Sequence, residues 1–145
     1  MTTTEDQLAI TTVIARHGHL VDDGELERLG ELFTEDVSYD VSDLGGGILE
    51  GLPAIIEASL ALGAGNPLAH LVTNIVIDSI DGDEATARSK GLGVNTDGSL
   101  GTVTYLDDLR RIDGRWLITH RKVLVRRAPL GGRTASAVAP EGSDG

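Results

Sequence analysis

The chain has no cysteine among its 145 residues, which removes disulfide frameworks, thiolate metal sites and thiol nucleophiles from consideration. Aromatic residues are scarce too: one Phe, one Trp and two Tyr, 3% of the chain. A pocket must therefore be walled mainly by Val, Leu, Ile and Ala. Positive charge is short as well, with 12 Lys and Arg against 23 Asp and Glu and a net charge of −11. Nucleic-acid binders draw most of their affinity from cations that neutralise phosphates, so no nucleic-acid partner is expected. No run approaches the about 18 apolar residues of a membrane helix. The start, "MTTTEDQLAITTVIARHG", also lacks a basic opening followed by an apolar block. The expectation is a soluble, cytoplasmic protein with no membrane partner.

What is present suffices for one domain. Hydrophobic residues make up 40% and the mean hydropathy is −0.01, enough for a core in a chain too short for two ordinary domains. From Glu5 to about Val21, Leu8, Ile10, Val13, Ile14, His17, Leu20 and Val21 recur at helical spacing behind a "TTTED" cap. "DDG" ends that helix, and "ELERLGELF" predicts a second, short one with Leu26, Leu29 and Phe33 inward. "EDVSYDVS" has strand character, "LGGG" turns, "ILEG" is briefly extended, and "LPAIIEASLALG" predicts a third helix with Pro53 in its first turn. The period then changes to two. Segments 68–80, 84–95, 99–112 and 115–127 are separated by "DGD", "TDG" and "DG", which read as hairpin connections. Helices followed by an antiparallel meander give an α+β class. The domain is expected over 1–127, with 128–145, rich in Gly, Ala, Ser and Pro, as a flexible C-terminal tail. Seven of the 12 cations lie between Arg110 and Arg127 and occupy both parities of "RWLITHRKVLVRR", which favours an exposed rim or subunit interface over a binding groove.

Three stretches, "IARHGHLVDDGELERLGELFTEDVSYDV", "HLVTNIVID" and "YLDDLRRIDGRWLITHRKVLV", resemble the SnoaL-like group of the nuclear transport factor 2-like superfamily. That superfamily also includes scytalone dehydratase, ketosteroid isomerase and limonene epoxide hydrolase. The resemblance spans about residues 5 to 127. It implies a cone-shaped α+β barrel, with three N-terminal helices packed on a strongly curved antiparallel sheet around a deep pocket. It also implies a homodimer formed through the outer sheet face. Since the fold hosts many chemistries, the reaction has to be read from side chains.

On the 68–80 strand, Leu68, His70, Val72, Asn74 and Val76 share one face, and Leu71, Thr73, Ile75 and Ile77 the other, both apolar enough to be buried. An imidazole in an apolar wall can move a proton near neutral pH. The resemblance implies a catalytic role for His70, because a histidine at the matching strand position is catalytic in scytalone dehydratase-like enzymes. Asp22 alone is a helix-terminating aspartate; the resemblance places it as the carboxylate that orients that histidine, fixing one tautomer and raising the basicity of the other nitrogen. His17 lies on the core face of the first helix, where related enzymes carry an oxyanion-donating tyrosine, so it is a third catalytic candidate or a packing residue. Asp40 matches the proton-shuttling aspartate of ketosteroid isomerase-like sequences, although periodicity sets it outward with Ser38 and Ser42, opposite Val37, Tyr39 and Val41. Tyr39 is then the inward hydroxyl donor of that strand.

Tyr105 and Asp107 share a side with Val103 and Leu109, read as the inner one. Asp107 has an ion pair with Arg88 or Arg121 as its alternative. Ser89, in a row of small residues with Ala85, Ala87, Gly91 and Gly93, leaves space for a bulky ligand. Substrate-binding candidates are thus Tyr39, Val72, Asn74, Ser89, Tyr105 and Asp107. His19 points outward, and His120, alternating with Trp116 and Ile118, is read as structural or interfacial. "ARSKGLGV" supplies neither the second histidine of the dehydratase branch nor the arginine and aspartate, two apart, of the epoxide hydrolase branch. Four scattered histidines make a poor metal set, and neither metal nor cofactor is expected. The functional expectation is a cofactor-independent general acid/base enzyme, a cyclase, dehydratase or isomerase. It would act on a hydrophobic polyketide-, terpenoid- or steroid-like metabolite. The alternative is a non-catalytic small-molecule-binding or dimeric assembly module of the same fold.

Overall fold

The computed structural model describes residues 3–135. Helix α1, Thr4–Asp22, starts on a reciprocal cap: the Asp6 backbone N–H donates to Thr3 Oγ1 (3.0 Å) and Thr3 N–H donates to Asp6 Oδ2. Asp6 also accepts from Trp116 Nε1 at 3.2 Å and Arg111 Nη1 at 2.8 Å, tying the helix start to the end of the meander. Its carboxyl is held below the usual range, first by the Trp116 hydrogen bond. The chain turns at Gly24 (φ 71°), a left-handed conformation that glycine adopts without a Cβ penalty. Leu26–Glu31 is then a six-residue 3-10 helix with Leu26 and Leu29 buried. Phe33 is inward as expected, but it opens a strand rather than ending a helix.

The strands are β1 (Phe33–Asp40), β2 (Ile48–Glu50), β3 (Ala69–Asp81), β4 (Glu84–Val94), β5 (Leu100–Ile112) and β6 (Arg115–Val125), with α2 at Leu52–Leu62. They form one curved, open sheet in the order β2-β1-β6-β5-β4-β3. The sheet is mixed rather than wholly antiparallel, because β1 runs parallel to β6 while the other neighbours are antiparallel. The reason is the crossover: α2 and the meander intervene before the chain returns beside β1. Ile10, Ile14 and Leu20 of α1 meet Leu29, Leu32, Phe33, Val37, Trp116 and Ile118 in the core.

Irregularities in two strands decide which side chains face that core. In β3 the register shifts between Thr73 and Val76, around Asn74 with φ 55°, and again between Ile77 and Ser79. A bulge reverses the inward parity and bends the strand. Val72, Ile75, Ile77 and Ile80 therefore pack against the core, while Leu71, Asn74 and Val76 are exposed. Asn74 is thus corrected: it does not share the His70 face, and the outer side of this strand is not buried within the monomer. In β6 the pairing with β5 slips at Thr119, so Trp116 and Ile118 face inward and so do Arg121 and Val123. His120 is turned outward, with Nδ1 4.0 Å from Asp108.

After β6, Arg127 Nη1 pairs with Asp43 Oδ2 at 3.1 Å and Arg126 N–H donates to Thr102 O at 3.0 Å. Pro129–Gly132 is a short 3-10 turn with Leu130 exposed. Of the segment expected as a tail, residues 136–145 lie outside the described residues.

Candidate active site

Helix α1 turns His17, Gly18, Val21 and Asp22 toward the sheet, the i, i+1, i+4, i+5 spacing of one helical stripe. Gly18 sets the distance. A Cβ there would lie under 3.0 Å from the carbonyl oxygen of His70, so only glycine lets the helix backbone rest on β3. One turn later, Asp22 accepts the His70 backbone N–H at 2.9 Å (Oδ2) and 3.1 Å (Oδ1), and its Oδ1 lies 2.7 Å from His70 Nδ1. An ionised carboxylate can only accept, so this contact holds a proton on Nδ1, and in the neutral imidazole it is Nε2 that bears the lone pair.

The dyad opens on a cavity of about 560 Å³. His17, Tyr39, His70 and Tyr105 line it among aliphatic side chains such as Val21, Ile55, Leu62 and Val123, and among the described residues no Asp, Glu, Lys or Arg lies in its wall. The His17 ring stands edge-on at 6.0 Å from both His70 and Phe33 and 6.1 Å from Tyr105. Its Nδ1 has no hydrogen-bond partner among the described residues, and the residue is 6% exposed. Burial first, then the Arg121 and His70 charges, holds the His17 pKa well below the ordinary value. It is neutral at pH 7 and can donate or accept one hydrogen bond.

Stability depends on pH through this residue. The unfolded chain protonates His17 below pH about 6.5 whereas the folded chain does not, so the stability present above that pH declines as the pH falls below it. Chemical denaturation at pH 7.5 and 5 should show a smaller loss in His17→Phe than in the wild type. The limiting slope for one proton is about 1.4 kcal/mol per pH unit. Identical pH profiles would mean that His17 titrates normally.

A family model described as SnoaL-like domain matches residues 2–122. The chain belongs to the SnoaL-like family. Several solved structures are similar to this SnoaL-like chain. Rv3472 from Mycobacterium tuberculosis, described as a function unknown protein, is 28% identical over 94% of this chain and 86% of that one, with a TM-score of 0.77. An NTF2-like protein with a cystatin-like fold from Novosphingobium aromaticivorans is 29% identical over 92% and 86%, with a TM-score of 0.71. Aln2 from a Streptomyces species, 18% identical over 86% and 94% with a TM-score of 0.70, shares the fold alone. No curated protein matches the chain significantly.

Below the cavity of this SnoaL-like domain lies a buried ion pair. Arg121 donates from Nε to Asp107 Oδ1 (2.6 Å) and from Nη2 to Oδ2 (2.9 Å), with both side chains 0% exposed. The guanidinium carbon sits 4.3 Å from the centre of the Tyr105 ring, 5.5 Å from Phe33 and 5.9 Å from Tyr39, within cation–π range. Burial raises the pKa of both tyrosine hydroxyls, against the opposing pull of Arg121, so Tyr39 and Tyr105 are protonated donors. Asp107 is inward as expected, but it is spent on Arg121 and does not line the cavity. Ser89 is buried opposite Tyr105, with no partner for Oγ among the described residues, and is not one of the lining residues. Val72 packs against the core rather than lining the cavity.

Asp40 is corrected more sharply. Its carboxylate accepts from Ser42 N–H at 2.9 Å and from the Ser42 hydroxyl, and those bonds pull its pKa down. It caps the turn after β1 and takes no part in the cavity wall. The structure thus brings His17, Asp22, Tyr39, His70 and Tyr105 together, and leaves Asn74 and Asp40 outside. Gly18 is not among the residues read as part of the site. Arg121 is, as one of the two alternative ion-pair partners of Asp107, and the structure selects it over Arg88; its inward parity is set by the bulge at Thr119. A glycine inside an apolar helical stripe, four residues before Asp22, was the available sign for Gly18.

Proposed function

We propose that this SnoaL-like domain is a cofactor-independent general acid/base enzyme, a cyclase, dehydratase or isomerase working through an enol or enolate of a hydrophobic oxygenated metabolite. The polyketide-, terpenoid- or steroid-like classes suit a largely aliphatic cavity whose wall carries no Asp, Glu, Lys or Arg among the described residues. The observation that carries the reading is the 2.7 Å contact between Asp22 Oδ1 and His70 Nδ1 at the cavity wall. It leaves Nε2 as the proton acceptor, and Asp22 steadies the imidazolium that forms when the proton is taken. Tyr105, Tyr39 and neutral His17 are the donors for the oxygen on which charge develops. Acid/base action of this kind contributes about 10²- to 10⁴-fold.

The dyad is tested by 15N imidazole shifts of His70 at pH 7.5. The wild type should show Nδ1–H as the dominant tautomer. Asp22→Asn should move the ratio toward Nε2–H by about tenfold or more, since a hydrogen bond to a charged group is worth roughly 1.5–3 kcal/mol. An unaltered ratio would remove Asp22 from the mechanism.

The same reading includes a homodimer through the outer sheet face, where the row Val76, Arg88, Leu106, Lys122 alternates apolar and cationic side chains across four strands. A twofold interface pairs one such patch with its own copy. Sedimentation equilibrium should give twice the 15.2 kDa chain mass, and a monomer at micromolar concentration would refute it.

A further inference from the structure

Three polar side chains form one row across the inner face of the sheet. Tyr39 of β1 is directly opposite Arg121 of β6, which is directly opposite Asp107 of β5. Tyr39 lines the cavity, whereas Arg121 and Asp107 do not, and both of their side chains are 0% exposed. The row therefore runs from the cavity wall into the protein as hydroxyl, guanidinium and carboxylate. Stability alone does not explain its polarity, because a buried ion pair is often matched by well-packed apolar residues of similar volume.

The orientation of the pair has a consequence for the site. Arg121 turns Nε and Nη2 to Asp107, on one flank, and Tyr39 stands on the other. Nη1, on the far edge of the planar fork, is buried with no well-aligned hydrogen-bond partner among the described residues. The guanidinium carbon is 5.9 Å from the centre of the Tyr39 ring. Burial raises the Tyr39 pKa, and Arg121 opposes that rise both by its charge and as a hydrogen-bond donor. Tyr105 differs. The guanidinium lies 4.3 Å from its ring centre, a contact with the ring, and on its hydroxyl, which burial likewise raises, Arg121 acts by charge alone.

We propose that Arg121 and Asp107 are positioning residues for Tyr39: Arg121 Nη1 donates to the Tyr39 oxygen, and the Tyr39 O–H donates to a substrate oxygen on which negative charge develops. Hydrogen bonds of this kind are often loose until a ligand is bound and tighten in the complex. Tyr39 keeps its proton throughout, since a hydroxyl donates and accepts at the same time. The guanidinium is the end of the pair nearer Tyr39, so the field of the pair favours an anionic oxygen there, and low-dielectric surroundings screen it little. Asp107 fixes the guanidinium and balances its charge. The inference rests on the proposed acid/base pocket. It selects Tyr39 from the three donors as the one that carries the developing charge, and it restricts substrates to those that present a carbonyl or phenolic oxygen to it.

The test is a mutant cycle read by calorimetric binding of 4-nitrophenolate at pH 8.5, with 4-nitroanisole, which has no anionic oxygen, as the neutral comparison. Tyr39→Phe and the double variant Asp107→Leu, Arg121→Met should each weaken 4-nitrophenolate by about tenfold or more, because hydrogen bonds to charged groups are the strong ones. All three changes together should weaken it by no more than about twofold beyond either, since Tyr39 and the pair act as one unit. Binding of 4-nitroanisole should stay within about twofold in all four proteins. An ion pair that is only structural gives additive losses, wild-type affinity for 4-nitrophenolate in the double variant, or equal losses of both probes. Each of these results overturns the proposal, as does a wild type that does not bind 4-nitrophenolate. Asp107→Asn, Arg121→Gln, which keeps hydrogen bonding without the charges, takes the place of the apolar pair in the cycle if that pair does not fold. The catalytic reading fails separately, on the Asp22→Asn tautomer measurement.

Discussion

Asp107→Leu should be the most damaging single substitution in the domain, lowering stability by roughly 3–5 kcal/mol. The expectation follows from the asymmetry of buried charge. Arg121 is 0% exposed, and Asp107 supplies two of its hydrogen bonds. With Asp107 gone, a guanidinium is left in an apolar and aromatic surround, far from water. Against a typical domain stability of about 5–15 kcal/mol, and at roughly 2–4 °C per kcal/mol for a chain of this size, the melting temperature should fall by at least about 6 °C. The double variant Asp107→Leu, Arg121→Met removes both charges and should recover most of the loss, since well-packed apolar replacements of buried pairs are often neutral.

The double variant also separates fold from function. Arg121 is one cause of the depressed His17 pKa, so without that charge His17 protonates more readily in the folded state and the decline in stability below pH about 6.5 becomes shallower. Thermal unfolding at pH 7.5, with denaturant titrations from pH 7.5 to 5, checks both parts. A stable Asp107→Leu single variant would show that water reaches Arg121.

The difference between what the sequence revealed and what it concealed follows from where periodicity holds. The stripe Ile10, Ile14, His17, Val21 and the alternation Val103, Tyr105, Asp107, Leu109 run through uninterrupted elements and face inward as read, whereas Leu8, read on the same helical stripe, is exposed in the first turns of α1. The four long strands likewise lie within a residue or two of their expected bounds. Periodicity fails at bulges. Asn74 takes φ 55° and exchanges the faces of β3, which excludes it from the site despite its even spacing from His70. At Thr119 the same kind of irregularity makes Arg121, rather than His120, the inward cation of β6. Both shifts depend on how one strand pairs with the next, information that a single strand does not contain. The parallel contact of β1 with β6 was hidden for a similar reason, since nothing local to either strand announces a partner some 80 residues away. Asp40 shows the reverse case. Its alternation with Ser38 and Ser42 already pointed outward, and the periodicity was the better guide than the family position.

Gly18→Ala should destabilise the domain, where a helix-interior glycine ordinarily gives the opposite sign. Replacing Gly by Ala inside a helix gains about 1 kcal/mol from propensity alone. Here the new methyl would sit under 3.0 Å from the His70 carbonyl oxygen, and that atom belongs to a strand backbone held in the sheet and cannot rotate away. Restoring ordinary contact requires α1 and β3 to separate by roughly 1 Å, and overpacking of this kind costs typically about 1–3 kcal/mol. The hydrogen bonds from His70 N–H and Nδ1 to Asp22 span 2.7 to 3.1 Å. An added ångström takes them beyond hydrogen-bond range, so the single His70 tautomer should be lost along with the stability. Gly30→Ala is the control, because its Cβ would meet only Leu52 Cδ1 at 3.6 Å, and it should leave both measurements unchanged. A Gly18→Ala protein that melts at or above the wild-type temperature with the Nδ1–H tautomer intact would show that α1 yields without cost. The close approach of helix and strand would then not be what holds Asp22 against His70.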